Sequence, residues 1–169
     1  MKDSKPSIRI RKAFPDDLPF LRSLALEAFS TYGDYETILT GFFLSQGVYT
    51  YVAEELCEDV ATPVGILMMV IGNTKRRGPY FVEIVAIAVD QDHRKQGIGS
   101  QMIDFAKQWP VALSEEISIA EIQLSVAEPN LRGRSFFERL GFVFLRKEPW
   151  TYPAGQKALR MQYILKDGD

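Results

Sequence analysis

One stretch of the chain places two cations, two glycines and a hydroxyl group shortly after an apolar run. The apolar run covers residues 81–89, and a short polar loop separates it from Arg94, Lys95, Gln96, Gly97, Ile98, Gly99 and Ser100. The first turn of a helix has backbone N–H groups without intrahelical partners, and glycines let a ligand approach that backbone closely. The positive charges of Arg94 and Lys95 add to this effect. The stretch therefore predicts a phosphate or pyrophosphate site.

Three phosphate-binding motifs compete for this stretch. A P-loop requires Gly-Lys-Ser or Gly-Lys-Thr after its glycines, which Gly99, Ser100 and Gln101 do not supply. A dinucleotide-binding fold sets its first glycine tight against the strand and a third glycine where this chain has Met102. The third motif is Arg-x-x-Gly-x-Gly, the pyrophosphate loop of acyl-coenzyme A enzymes. It matches the stretch that begins at Arg94.

A second candidate group is the carboxylate of Glu83, which interrupts the apolar run six residues before Val89. A carboxylate in apolar surroundings loses hydration, which favours its protonated form and suits a general base. Two ordinary interpretations stay open beside this one. Glu83 can face solvent at a sheet edge, or it can pair with Arg76 or Arg77.

The elements that position these residues follow from apolar periodicity and turn residues. The predicted strands cover residues 8–11, 48–53, 63–71, 81–89, 120–126, 142–146 and 158–165, and the predicted helices cover 16–29, 37–44, 97–109 and 130–140. We expect an exposed acidic turn over 54–62, a helix end at Pro110 and a helix cap at Asn130. The fourth and fifth strands are joined through a helix and should be parallel. The pattern predicts an α/β fold with a mixed central sheet of about seven strands and helices on both faces.

Composition limits the remaining classes of function. The 169 residues are 46% hydrophobic and show no linker, which indicates a single domain over 1–169 with its core at about 8–165. A net charge of -2 argues against nucleic-acid binding. No apolar run reaches the roughly 20 residues that span a bilayer, and no signal peptide is evident, so we expect no membrane association and a cytoplasmic protein. Cys57 and His93, each the only residue of its type, cannot form a metal cluster.

Two elements of the sequence together resemble the GNAT superfamily of acetyl-CoA-dependent N-acetyltransferases. The first is Val89 followed by the Arg-x-x-Gly-x-Gly stretch. The second is Asn130 followed by an aromatic pair and Gly-Phe, present here as Phe136, Phe137, Glu138, Arg139, Leu140, Gly141 and Phe142. The likeness spans about residues 8–165. It implies transfer of acetyl from acetyl-CoA to a primary amine by direct attack, in a fold whose fourth and fifth strands splay apart.

The resemblance also implies roles for individual residues. Backbone groups of Ile87, Ala88 and Val89 would pair with the pantetheine arm, and residues 94–100 would hold the pyrophosphate. Asn130 would either bond the pantetheine or fix the helix that faces it. Glu83 would act as the general base, as in histone-modifying members of the family. The implied cofactor contacts are Ile87, Ala88, Val89, Arg94, Lys95, Gln96, Gly97, Ile98, Gly99, Ser100, Asn130 and Phe137.

The sequence departs from the family pattern at the general acid. Many members carry a tyrosine seven residues after the asparagine, and this chain has Phe137 there. The candidates to protonate the leaving sulfur are Ser135, Tyr80, Tyr152 and Tyr163, or water. A coenzyme A thiolate is a tolerable leaving group without an acid, since a free thiol has a pKa of about 8.5. The missing tyrosine motivates an alternative function, a non-catalytic acyl-CoA sensor; an NAD-dependent oxidoreductase ranks third.

The acceptor is predicted only as a class, a small-molecule or peptide amine. Tyr32 and Tyr35 flank a helix break at Gly33, where they either pack or line an acceptor pocket. The basic segment Lys75 to Arg77 is either solvated or in contact with an anionic group. Members of the family often pair, so a homodimer is possible.

Overall fold

The structure, a computed structural model, describes residues 6–73, 79–112 and 117–165, without the side chains of 111 and 112. Its strands are β1 Ser7–Lys12, β2 Val48–Cys57, β3 Val60–Asn73, β4 Tyr80–Val89, β5 Ile119–Ala127, β6 Val143–Thr151 and β7 Lys157–Ile164. Its helices are α1 Leu18–Phe29, α2 Tyr35–Phe43, α3 Ile98–Ala112 and α4 Leu131–Arg139. The seven strands form one sheet in the order β1-β2-β3-β4-β5-β7-β6. The described strands pair antiparallel except for β4 and β5, which are parallel as predicted.

Helices cover both faces of the sheet, which confirms the predicted α/β architecture. One apolar layer joins the sheet to α3 and α4 through Ile98, Met102, Ile103, Ala106, Trp109 and Phe137. The other layer joins it to α1 and α2 through Leu21, Leu24, Ala25 and Leu39. Strand β4 contributes Val82 and Ile84 to the first layer, and Ala86 and Ala88 to the second. Each face of the sheet therefore packs in its own apolar layer, and β4 supplies core residues to both layers.

The parallel pair β4–β5 comes apart partway along its length. Pairing runs from Tyr80 opposite Ile119 to Ile84 opposite Leu124. Beyond that point β4 continues to Val89 on β3, and β5 continues to Ala127 on β7. A bulge in the β3–β4 register leaves Val85 as an extra residue on β4 where the pairing stops. This opening is the predicted splay between strands 4 and 5.

The prediction that Pro110 ends the third helix was wrong. Helix α3 includes Pro110 and continues to Ala112. Proline lacks the N–H that would bond to the carbonyl of residue 106, but it leaves the N–H groups of later residues intact. A proline this close to a helix end therefore removes one bond without stopping the last residues from staying helical. Within the described ranges, no helix is long and apolar enough to cross a membrane.

The predicted exposed turn over 54–62 was also wrong in extent. Strand β2 continues to Cys57 and β3 begins at Val60, so the turn is only Glu58 and Asp59, and Glu58 has a φ of 51°. Glu54 is buried within β2 instead of lying in a turn. The acidic character of the segment suggested exposure, but paired arginines on β1 neutralise this carboxylate. The predicted basic segment Lys75 to Arg77 lies outside the described residues.

Arg11 is the centre of an ion-pair network that joins β1, β2 and the start of α1. It donates to both carboxylate oxygens of Asp17, at 2.8 and 2.9 Å, and to Glu54 Oε1 at 2.6 Å. Arg9 holds the other Glu54 oxygen at 2.7 Å. The hydrogen bond from Arg11 lowers the pKa of Asp17, despite the opposing effect of burial. Burial raises the pKa of Glu54, but the bonds from Arg9 and Arg11 outweigh it and lower that pKa too.

We predict that Asp17→Asn lowers the free energy of unfolding at pH 7 by about 2 kcal/mol, because a buried charge-assisted pair is lost. A depressed folded pKa stabilises a protein above the unfolded pKa of about 4, and that stabilisation is lost as the pH falls through the folded pKa. The difference between the native protein and the variant should therefore shrink at pH 3. Urea unfolding at both pH values measures it. The exposed neighbour Asp16 provides the control Asp16→Asn, and an equal loss in both variants would contradict the assignment to the network.

Candidate active site

The β4 side of the opening exposes backbone groups that have no strand partner. The Asp90 N–H donates to the carbonyl of Val64 at 2.8 Å. Bonded and non-bonded residues alternate in an antiparallel pair, so Ala88 faces β3 while Ile87 and Val89 face the opening. The carbonyl of Val89 accepts a 2.8 Å bond from Arg94 Nε. The remaining groups of Ile87 and Val89 are available to an amide-bearing ligand.

The loop after β4 is shaped by Asp90 and by two residues with positive φ. Asp90 Oδ1 accepts from the N–H of Asp92 at 2.9 Å and lies 3.1 Å from His93 Nδ1. The contact with His93 lowers the pKa of Asp90, so this carboxylate is charged at neutral pH. Lys95 and Gly97 have φ values of 62° and 83°. Left-handed residues within such a loop turn consecutive N–H groups toward one side, a conformation suited to an anion.

The N-terminus of α3 lies at the end of this loop. Its first backbone bond runs from the N–H of Gln101 to the carbonyl of Gly97 at 3.0 Å. The N–H groups of residues 98–100 therefore have no intrahelical partner, and the first turn carries no acidic side chain. Ile98 is 2% exposed and anchors the turn in the core. The predicted loop residues Lys95, Gln96 and Gly97 are exposed, and Gly99 and Ser100 are partly buried at the helix start.

Glycine is favoured at the two positions of the motif for different structural reasons. A Cβ on Gly97 would meet nothing within 4 Å, so its positive φ is what favours glycine there. A Cβ on Gly99 would lie 3.1 Å from Cζ of Phe136. Gly99 thus allows α3 and α4 to approach each other, and Gly97 allows the turn.

Arg94 is held in place by groups of the protein. Besides the bond to Val89, its Nη2 donates to Glu27 Oε1 on α1 at 2.7 Å. The side chain thereby fastens the end of β4 and the loop to α1. Gln96 is also engaged, through a 3.2 Å bond from its Nε2 to the carbonyl of Asp92.

Asn130 and Phe137 lie on the β5 side of the opening. Asn130 Oδ1 accepts from the N–H of Gly133 at 2.9 Å and caps α4, as expected. A Cβ on Gly133 would lie 2.5 Å from Asn130 Nδ2, so glycine is needed for this cap. Phe137 is 8% exposed, and its ring packs 5.1 Å from Phe136 and 5.8 Å from Phe142, measured between centroids.

Glu83 pairs with an arginine that the sequence analysis did not consider. Its Oε1 accepts a 2.8 Å bond from Arg160 Nη1, and the side chain of Glu83 is 25% exposed. Arg160 lies on β7 and also donates from Nε to Glu148 Oε1 at 2.5 Å. Burial lowers the pKa of Arg160, but the bonds and charges of Glu148 and Glu83 outweigh this effect and raise it. Glu83 Oε2 accepts no hydrogen bond from a described residue.

A tyrosine cluster lies beside this ion-pair group. The ring of Tyr152 lies 5.3 Å from that of Tyr32 and 6.1 Å from that of Tyr35. The segment after α1 and the turn after β6 also bond to each other, since the N–H of Ala154 donates to the carbonyl of Tyr32 at 3.0 Å. A Cβ on Gly33 would lie 2.6 Å from Pro153 Cβ, which explains this glycine. The predicted helix break therefore docks against the β6–β7 connection.

The four candidate general acids lie in different parts of the structure. Tyr80 begins β4, at the end where β4 and β5 are still paired. Tyr163 lies opposite Ile122, and its ring centroid is 4.1 Å from Lys107 Nζ. Ser135 is exposed on α4. Tyr152 is the candidate whose surroundings include Arg160; burial raises its pKa, as do Tyr35 and Tyr32, so it keeps its proton at neutral pH.

Two residues at this site were not predicted from the sequence: Glu148 and Arg160. Arg160 carried a signal, because it is a charged residue at the centre of the apolar run Ala158 to Met161. Such a residue has to be paired if the strand is buried. Its carboxylate partners lie 77 and 12 residues away in the sequence, and local patterns do not identify them.

Solved structures resemble this fold over nearly its whole length. NAA60 of Arabidopsis thaliana in complex with acetyl-CoA superposes with a TM-score of 0.77 at 16% identity, covering 94% of this chain and 99% of that one. The ribosomal-protein-S18-alanine N-acetyltransferase of Escherichia coli gives 0.69 at 16% identity, with coverages of 96% and 97%. A spermidine N-acetyltransferase SpeG K23-Y30 chimera from Vibrio cholerae and hSSAT gives 0.66 at 20% identity, with coverages of 94% and 96%. At these identities the likeness shows the fold.

Family membership rests on the sequence. No curated protein sequence matches the chain significantly. The sequence model described as the acetyltransferase (GNAT) family matches residues 11–142, which is well over half of the chain and includes the whole segment from β4 to α4. The chain therefore belongs to the acetyltransferase (GNAT) family and is an acetyl-CoA-dependent acetyltransferase.

Proposed function

We propose that this enzyme transfers acetyl directly to an amine whose nitrogen is deprotonated by Glu83. The observation that carries the proposal is the position of Glu83, near the point where β4 and β5 separate. Arg160 holds one of its carboxylate oxygens, and no described residue engages the other. Tyr32, Tyr35 and Tyr152 form the neighbouring wall, which we assign to the acceptor.

The residues around the opening fit acetyl-CoA, which supplies the acetyl thioester. Backbone groups of Ile87 and Val89 suit the amides of the pantetheine arm, whereas the backbone of Ala88, the third residue implied by the resemblance, faces β3. The free N–H groups of Ile98, Gly99 and Ser100 suit the diphosphate, with Lys95 and Gln96 at the rim. Arg94 supports the loop through Glu27 and adds positive charge. Asn130 fixes α4 against the arm, and Phe137 contributes apolar surface near the thiol.

The transfer requires a neutral amine. Glu83 Oε2 accepts a proton from the attacking nitrogen while the new N–C bond forms and the C–S bond breaks. Arg160 holds Oε1 at 2.8 Å and so fixes the direction in which Oε2 points. Backbone N–H groups on the open side of β4 polarise the carbonyl in the manner of an oxyanion hole.

The leaving sulfur has two sources of a proton in this site. Phe137 offers none, and Tyr152 keeps its phenolic proton at neutral pH. Water is the other source, because a thiolate is a moderate leaving group. Acceptor identity as a small-molecule or peptide amine, a homodimer, a single domain over 1–169 and a cytoplasmic location stay predictions.

We predict that Glu83→Gln lowers kcat for acetyl transfer about 100-fold or more, because the amide cannot accept the proton. Acetyl-CoA affinity should stay the same, since Glu83 lies in the paired part of β4, outside the backbone stretch that we assign to acetyl-CoA. Thiol release with an amine panel measures the rate, and calorimetry measures the affinity. The matched control is Asp104→Asn, which removes an exposed carboxylate from α3 on the other face of the sheet.

Two outcomes of this experiment would contradict the proposal. Undiminished turnover in Glu83→Gln would exclude Glu83 as the base. Tight acetyl-CoA binding by the native protein without transfer to any amine would instead support the sensor function.

We also predict that Gly97→Glu weakens acetyl-CoA binding at least about tenfold more than Gly97→Gln. Both variants place a side chain at a φ of 83°, so they share the same backbone strain. They differ in one negative charge beside the free N–H groups that we assign to the diphosphate. Calorimetric titration compares them, and equal affinities would contradict the loop assignment. Gly99 is a poorer test position, because its Cβ would press on Phe136.

A further inference from the structure

Arg160 has hydrogen-bonding capacity that no residue in the described ranges uses. A guanidinium carries five N–H donors. Nε is spent on Glu148 and one Nη1 donor on Glu83, and Nη2 donates to no described residue. Glu148 also lies 3.6 Å from Arg146 Nη2, so its charge is shared between two arginines. Arg160 therefore presents free donors immediately beside the carboxylate that we assign as the base.

Ser125 is a second unsatisfied group at the same place. It is the first β5 residue past the last pair with β4, and its Oγ is buried without a hydrogen-bond partner among the described residues. Its Cα partner on β7 is Arg160. Directly opposite residues of an antiparallel pair have Cβ atoms about 4.5–5.5 Å apart on one face. A buried hydroxyl without a partner is costly, and one beside a cleft is explained if a ligand completes it.

Glu83, Ser125 and Arg160 project from the same side of the sheet. Val82 and Ile84 flank Glu83 and face α3 and α4, as do Leu124 and Val126 around Ser125, and Leu159 and Met161 around Arg160. Because side chains alternate along a strand, Glu83, Ser125 and Arg160 face the opposite side. That side also holds the tyrosine wall. A carboxylate oxygen, a hydroxyl and a guanidinium therefore meet where the acceptor is expected.

We propose that Arg160 and Ser125 bind the oxygen of a carbonyl group attached to the carbon that bears the reacting amine, so that the acceptor is an α-amino acyl compound. This inference rests on the proposed function, in which Glu83 takes the amine proton. The amine lies at Glu83 Oε2, and the neighbouring carbonyl oxygen accepts from Arg160 Nη2 and from Ser125 Oγ. A polyamine or a lysine side chain has methylene groups at this position, and it leaves these buried donors unpaired. Both a peptide N-terminus and a free amino acid contain this α-amino acyl group.

The test compares acceptors on the basis of their neutral-amine concentration. Four are assayed with the native enzyme: an alanyl peptide with an amidated C-terminus, free alanine, propylamine and spermidine. We expect kcat/KM to be at least about tenfold higher for one or both α-amino acyl acceptors than for the other two. A preference for the peptide identifies the N-terminus as the source, and a preference for alanine identifies the free amino acid. A preference for propylamine or spermidine would overturn the inference.

The variants separate recognition from a structural effect. Ser125→Ala removes one small group and should lower the ratio of α-amino acyl to propylamine kcat/KM several-fold. Arg160→Lys keeps the charge near Glu83 but loses the fork, and it should lower the ratio of α-amino acyl to propylamine kcat/KM. The control is Ser118→Ala, an exposed serine just before β5.

An equal loss for every acceptor in both variants would indicate a structural role and overturn the inference. Transfer to amines without a preference for α-amino acyl acceptors would contradict this inference but would still support the proposed function. If the native enzyme transferred acetyl to no amine, the proposed function would fail and this inference with it.

Discussion

The site depends on the loss of hydrogen bonding between two adjacent parallel strands. Buried backbone N–H and C=O groups without partners are costly, so strands in a sheet centre normally stay paired along their length. Here β4 and β5 separate beyond Ile84 and Leu124, but each keeps its other neighbour, β3 and β7 respectively. The sheet therefore stays one body while two strand edges open toward each other. Those open edges are the feature that a ligand rich in amides can satisfy.

The surrounding elements hold the opening in a fixed form. The bulge at Val85 occurs where pairing ends, and it switches which face successive β4 side chains occupy. Arg94 fastens the end of β4 to Glu27 of α1, and the Asn130 cap fixes the start of α4. The free N-terminal turn of α3 lies at the cleft mouth because Ile98 is anchored in the core. The proposed binding of the diphosphate and of the pantetheine arm thus depends on one backbone arrangement, which the side chains mainly support.

Local features of the fold could be predicted from the sequence, and long-range pairing could not. The order of strands and helices, the Asn130 cap and the parallel β4–β5 pair follow from periodicity and capping residues close in sequence. The predictions at Pro110 and at the acidic segment containing Glu54 were wrong, because residue type alone gives neither the distance to the helix end nor the ion-pair partners. Glu54 is buried since Arg9 and Arg11 reach it from a strand more than 40 positions away. For the same reason Arg160 was missed, although it bonds directly to Glu83.

The pairing of Glu83 with Arg160 does not exclude a role as base. A carboxylate has two oxygens, and an arginine that binds one of them end-on leaves the other free to accept a proton. Glu148 binds the same guanidinium, so the positive charge of Arg160 lies between two carboxylates. Glu148 is also close to Arg146. The ordinary interpretation of Glu83 as a paired glutamate and the functional one therefore describe the same contact, in which the arginine orients the carboxylate through one oxygen and leaves the other for the acceptor.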